Sequence, residues 1–262
     1  MSKPRTAIGV DGCRAGWFYV RRRGGVIDHG VTHDLALLLE EEQPVKIAID
    51  IPIGLRERSG QMRHCDRDAR LLLGPKRSSV FAPPLRGTLA FETHAAASAW
   101  QKKRCGKGLS IQSFNIGGKI AQVDALLAAN SRARAALIEA HPELCFFGLN
   151  ALQPVLAKKN TDEGANARMT LLNRVMPEAT RVLDEALANH RRKDVARDDI
   201  IDALVTAHVA GLTTEQRLDI PLETELDARG LPMRMTFGVA AAVKKKTRQV
   251  LIDAAASATT EQ

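Results

Sequence analysis

A chain of 262 residues with 45% apolar composition can bury a core in one large domain or two small ones. Lys and Arg outnumber Asp and Glu by 38 to 30, a net charge of +8 with a pI near 9.6 that favours an anionic partner such as nucleic acid or a nucleotide. No stretch approaches the roughly eighteen consecutive apolar residues of a membrane span, and the opening MSKPRT has no signal-peptide core, so the expectation is a cytoplasmic protein without a membrane partner. Cys13, Cys65, Cys105 and Cys145 are far apart and form no CxxC pair, which fits reduced thiols better than a zinc site or a disulfide framework.

In chain order, Thr6 to Val10 and Trp17 to Val20 are short β-rich runs about a Gly-containing turn, and RRRGGVIDHGV offers a second hairpin with Gly24-Gly25 at its tip. THDLALLLEEE carries a leucine stripe behind Thr32, His33 and Asp34 and predicts a helix. Val45 to Gly54 reads as a buried strand closed by Pro52 and Gly54. From Leu55 to about Asn130 the chain is basic and irregular, an insertion with two or three helices. A strand-like segment follows around Glu143 to Phe147, then helices over Glu163–Val175, Pro177–His190 and Asp198–Gly211. ELDARGLPMRMTFGV predicts a turn and an edge strand. These elements describe a single domain over residues 1–250 with the basic insertion at about 55–130, and a flexible tail over 251–262.

Three antiparallel strands, a helix, a fourth strand and then helix, strand and helix is the element order of the RNase H-like α/β fold. That fold is a mixed β-sheet, three antiparallel strands followed by parallel ones, flanked by helices; the insertion falls after its fourth strand. Its enzymes gather acids from the first strand, the end of the fourth strand and the last helix around two divalent ions. Asp11 and Asp50 fall in the first two places, and ARDDIIDALVTAHVAG puts Asp199 and Asp202 on one helix face. Each has a plainer reading. Asp11-Gly12 is a hairpin turn signal, Asp50 can end a strand, Asp198 and Asp199 suit a helix N-terminus, and Glu143 in HPEL can pair with an arginine.

IGVDGCRAGW, AIDIPIGL, RHCDRDAR, SSVFAPP, HPELCF, TDEGANAR and DDIIDAL, in this order over about Ile8 to Gly238, resemble the uncharacterised domain of unknown function 429 family, whose members are described as predicted nucleases of RNase H-like fold. DDIIDAL is also similar to the D-x-x-D-A-L helix of the Holliday-junction resolvases. The resemblance implies phosphodiester hydrolysis, with Asp11, Asp50, Asp202, Asp199 and Glu143 as catalytic acids. Of these, Asp11, Asp50, Asp202 and Asp199 would be ligands of Mg²⁺ or Mn²⁺, because hard oxygen donors select such ions over zinc. His141 or His208 would assist proton transfer. Arg14, Lys119, Lys158, Lys159 and Arg168 are the expected substrate-binding residues, joined by the cations of the insertion and by the Thr161 helix start. DNA or RNA is the expected partner and a homodimer the expected assembly by analogy with the resolvases.

A tyrosine count of one argues against a stacking platform for single strands. NIGGKI lacks the upstream Gly and the Ser/Thr of a P-loop, no GxGxxG opens a helix after a strand, and Ser78 and Ser79 lack a G-x-S-x-G setting. Two rivals stay open. One is a non-catalytic RNase H-like module that binds nucleic acid or protein, and the other is a nucleotide-dependent phosphotransferase.

Overall fold

The computed structural model of the chain describes residues 6–40, 44–58 and 60–260. Strand β1 (Thr6–Cys13) lies in the middle of a five-stranded sheet of order β3-β2-β1-β4-β5, with β2 at Gly16–Arg23, β3 at Val26–Thr32, β4 at Val45–Ile49 and β5 at Leu137–Glu139. The first three strands pair antiparallel, and β4 runs parallel to both β1 and β5. Turn chemistry accounts for the β2–β3 hairpin: Gly24 and Gly25 both take positive φ, 55° and 86°, as a two-residue type I′ turn demands.

Period-two alternation sends the two sides of β1 into different cores. Ile8 and Val10 join Leu35, Leu38, Ile47, Ile49 and Leu127 on one face. Ala7 and Cys13 join Phe18, Ala48 and Ile138 on the other. Helices cover both faces, the layered solution for a sheet apolar on each side.

The predicted helix after β3 is a 3₁₀ turn, Leu35–Leu39, capped by the Asp34 side chain on the Ala36 N–H; residues 41–43 of the expected helix lie outside the described residues. Between β4 and β5 the chain forms α1 (His64–Leu73), α2 (His94–Cys105), α3 (Ile111–Asn115), α4 (Gly117–Ala129) and α5 (Ser131–Ala136). Two or three were expected over about 55–130, where four of these lie. Thr93, Ser110 and Asn130 side chains each cap a new helix and so divide the segment.

The strand expected at Glu143 to Phe147 is instead α6 (Pro142–Leu149), and the strand lies upstream as β5. Pro142 explains the switch. At the first helical position its missing N–H is one that a helix leaves unpaired anyway. Then follow α7 (Asp162–Asn173), α8 (Ala179–Asn189) and α9 (Arg197–Ala210), close to the predicted helices. The expected lone edge strand is a separate two-stranded sheet, β6 (Arg217–Leu226) and β7 (Pro232–Gly238). The tail expected to be flexible continues as α10 (Ala241–Thr260), which Val243, Thr247 and Leu251, one turn apart each, anchor to the body.

Helix α9 is buried on nearly every side, lying across β1, β2 and β4 and against α6, α7 and α8. It approaches β1 so closely that a Cβ on Gly9 would overlap the Ala203 carbonyl oxygen and the Ala207 backbone nitrogen. Backbone cannot turn aside as a side chain does. Gly9→Ala is therefore expected to destabilise the fold by about 3 kcal/mol or more, read from the urea midpoint at unchanged slope.

Candidate functional site

Parallel strands β1 and β4 end at the same edge of the sheet, and the first half of α9 lies over that edge. Asp11 sits near the end of β1 on the face that carries Ala7 and Gly9, toward α9. Asp50 directly follows β4, and its N–H donates to the Val10 carbonyl at 3.0 Å, extending the ladder by one residue before Pro52 stops it. Asp202 is in the second turn of α9. All three line one cavity of about 390 Å³, together with Gly12, Ser79, Lys119, His141, Glu143 and Lys159.

The electrostatics of this cavity are dominated by burial, with like charge and nearby cations acting in opposite directions. Asp11 is 8% exposed; burial pushes its carboxyl well above the usual range, and Asp50, Asp202 and Asp199 push it further. Burial and Glu143 raise Asp50 against the opposing pull of His141 and Lys159. Asp202, 3% exposed, is raised to about 7, by burial first and then by Asp50 and Glu143. All three carboxyls are thus displaced toward the protonated form, a displacement that a bound cation would reverse.

The cation that touches them is Lys159. Its Nζ donates to Asp202 Oδ2 at 2.9 Å and stands 3.2 Å from Asp198 Oδ2. Burial alone would lower its ammonium, but the Asp202 carboxylate outweighs burial and leaves Lys159 above its ordinary value. Lys159→Met is expected to cost about 1 kcal/mol of stability at pH 8, where Asp202 is ionised, and less at pH 5, where Asp202 is protonated and Asp198 is the partner left. Thermal melts at the two pH values check this.

The other expected acids have mixed fates. Asp199 lies outside the cavity lining, and its Oδ2 accepts from the Ala196 N–H at 2.8 Å, tying down the start of α9; burial raises it to about 6. Glu143 lines the cavity from the first turn of α6, with Oε1 accepting from Arg168 at 2.6 Å. Its Oε2 is buried without a hydrogen-bond partner, as is His141 Nδ1, while His141 Nε2 lies 3.2 Å from the Ser79 carbonyl. His208 is in the last turn of α9, outside the lining.

The expected substrate-binding residues divide likewise. Lys159 and Lys119 line the cavity; Lys119 donates to the Gly16 carbonyl and stands 4.5 Å over the Trp17 ring. Arg14 and Lys158 are exposed but outside the lining. Arg168 is placed differently from the expectation. At 1% exposure its guanidinium is taken up by Glu143 and by the Ala157 and Gly164 carbonyls, so it braces α6 against α7 instead of facing a substrate. Thr161 Oγ1 accepts from the Gly164 N–H, so the start of α7 is capped by its own side chain. Arg56 pairs with Glu225, Arg67 with Asp68, and Arg70 and Lys76 donate to carbonyls.

Arg63, another of the insertion cations expected to bind substrate, is instead buried in the cavity wall with its charge taken up by carboxylates. Arg63, 2% exposed, bridges Asp66 at 2.6 Å and Glu139 at 2.7 Å and donates to the Ile53 carbonyl, while Glu139 Oε2 accepts from the Ile53 N–H. This network fixes the segment after β4, and with it the position of Asp50. Its signal was an acid inside the apolar run ALIEA, the pattern that singles out Asp50 in AIDIPIG.

Among the described residues no three His, Cys, Asp or Glu side chains stand in a metal-holding group, so the acids share a cavity without closing into a coordination cluster. The donor chemistry nevertheless fits a hard divalent cation: carboxylate oxygens that burial and like charge raise, beside the unpartnered Glu143 Oε2, with His141 the one histidine in the lining. Of the Asp202 oxygens, Oδ2 already meets Lys159.

A family model described as a protein of unknown function, DUF429, matches residues 9–225. The chain belongs to the DUF429 family. The part that matches the DUF429 model begins in β1, contains Asp11, Asp50, Glu143 and Asp202, and ends within β6, leaving β7 and α10 outside it. No curated protein and no solved structure matches the chain.

Proposed function

We propose that this DUF429 protein has an RNase H-like fold and is a divalent-metal-dependent nuclease that hydrolyses phosphodiester bonds of DNA or RNA. The observation that carries the reading is the meeting of Asp11, Asp50 and Asp202 in one cavity, from the ends of two parallel strands and the helix laid across them. The strand order β3-β2-β1-β4-β5 supports the fold, and the helices between β4 and β5 take the part of the insertion.

Asp11, Asp50 and Asp202 would hold Mg²⁺ or Mn²⁺, with Glu143 beside them. Such ions supply an activated water and stabilise the leaving oxygen. Lys159 would leave Asp202 for a substrate phosphate, and Lys119, held over Trp17 at the opposite wall, would meet the same backbone. His141 presents an unpartnered ring nitrogen for proton transfer.

The test is cleavage of branched, duplex and hybrid substrates with Mn²⁺ and with EDTA. Metal-dependent cutting of any one is the expected result. A protein that binds these substrates but cuts none would favour the non-catalytic module, in which Lys159 already neutralises the deepest acid. Protection against heat by ATP would instead favour the nucleotide-dependent phosphotransferase.

A further inference from the structure

A second cavity, of about 500 Å³, lies between the β6–β7 sheet, α10 and the start of β4. Lys46, in β4, lines it, whereas Asp50 follows the end of the same strand, so the two cavities stand at opposite ends of β4, about 13 Å apart along it. The charge of the second cavity is the reverse of the first. Lys46, Arg217, Arg234, Lys244 and Arg248 line it with a single carboxylate, Asp219.

That carboxylate is committed, since it accepts from the Thr236 hydroxyl at 2.6 Å and stands 3.5 Å from Arg234. The cations keep donors to spare. The guanidinium groups of Arg217 and Arg248 donate to no protein acceptor among the described residues, and Lys46 uses one of its three side-chain N–H groups on the Ala135 carbonyl. Burial lowers both Lys46 and Arg217, and the neighbouring guanidinium of Arg234 lowers them further, so these charges crowd one another. Cations gathered in a recess without matching carboxylates are relieved by an anion of more than one charge, and guanidinium forks match the oxygens of phosphate.

We propose that this cavity is a binding site for phosphate groups, separate from the acidic cavity and independent of the nuclease reading. Its size accommodates a phosphorylated molecule of nucleotide size or a stretch of nucleic-acid backbone.

The test is calorimetric titration of the full chain in EDTA, at fixed low salt, with pyrophosphate and with a short DNA duplex as probes. EDTA keeps divalent ions from the acidic cavity, so the outcome is blind to whether the protein is a nuclease. Pyrophosphate is expected to bind the wild type and Asp50→Asn alike, and roughly tenfold more weakly Arg217→Gln and Arg248→Gln. Neither arginine is used by the fold, so both variants should melt with the wild type. If the duplex competes with pyrophosphate and is weakened by the same substitutions, the phosphates are those of nucleic acid; if it does not compete, they belong to a small phosphorylated ligand. Absence of binding by both probes, or wild-type affinity in both arginine variants, overturns the proposal.

Discussion

Asp202→Asn is expected to cut metal-dependent hydrolysis by roughly a thousandfold or more, the consequence of losing several kcal/mol of transition-state stabilisation. The same substitution should raise the melting temperature of the metal-free protein at pH 8. The two effects have one cause. An unfolded aspartate titrates near 3.8, whereas Asp202 in the fold titrates at about 7. Between those values the folded chain holds the extra proton, so the stability attached to this carboxyl is full below pH 4 and is lost as the pH rises through 7. Asn never ionises and escapes that loss, less what Lys159 gives up when one of its two carboxylate partners on α9 disappears. Melts of both proteins from pH 4 to 8, beside cleavage rates in Mn²⁺, read the two halves. Retained activity in Asp202→Asn would remove this residue from the chemistry.

The second large effect is structural. Arg63→Met should destabilise the protein by about 3–5 kcal/mol, because it leaves Asp66 and Glu139 buried and unpaired. A chain of this size would then melt about 10 °C lower. Activity is expected to fall as well, since Arg63 holds the Ile53 carbonyl in the segment that carries Asp50. Neutralising the acids in the same background, as Arg63→Met with Asp66→Asn and Glu139→Gln, should restore much of the stability, because the cost lies in the uncompensated charge. If the triple variant is no more stable than the single one, packing of the guanidinium matters more than its charge.

These cases mark what could be read from the residues alone. The first four strands were legible because their signals are local: a two-residue Gly-Gly turn, an apolar run stopped by proline, and alternation that switches sides at each residue. The acids were legible for a related reason, as charges in stretches that are otherwise apolar, and Asp202 lies where DDIIDAL carries it into a helix buried on nearly every side. Strand β5 was not legible. It has three residues, too few for alternation to show, and the apolar residues that look like a strand belong to α6 behind Pro142.

Charge roles were the least legible part, because a side chain's partner comes from distant sequence. Nothing near Arg168 says that it meets Glu143 inside the protein, and nothing near Arg63 says that it meets Glu139. Asp199 and Asp202 share a spacing that fits a common face, yet the first is turned back to the Ala196 N–H and the second faces the cavity. Helix-end chemistry decides between them: N3 is the position from which a carboxylate can reach the N-cap.

The most direct measurement is diffraction from a Mn²⁺-soaked crystal at the manganese edge. The proposed function predicts anomalous peaks bounded by the carboxylates of Asp11, Asp50 and Asp202, with Lys159 swung off Asp202. Clean density with no peak there, and Lys159 still on Asp202 at millimolar Mn²⁺, would contradict it.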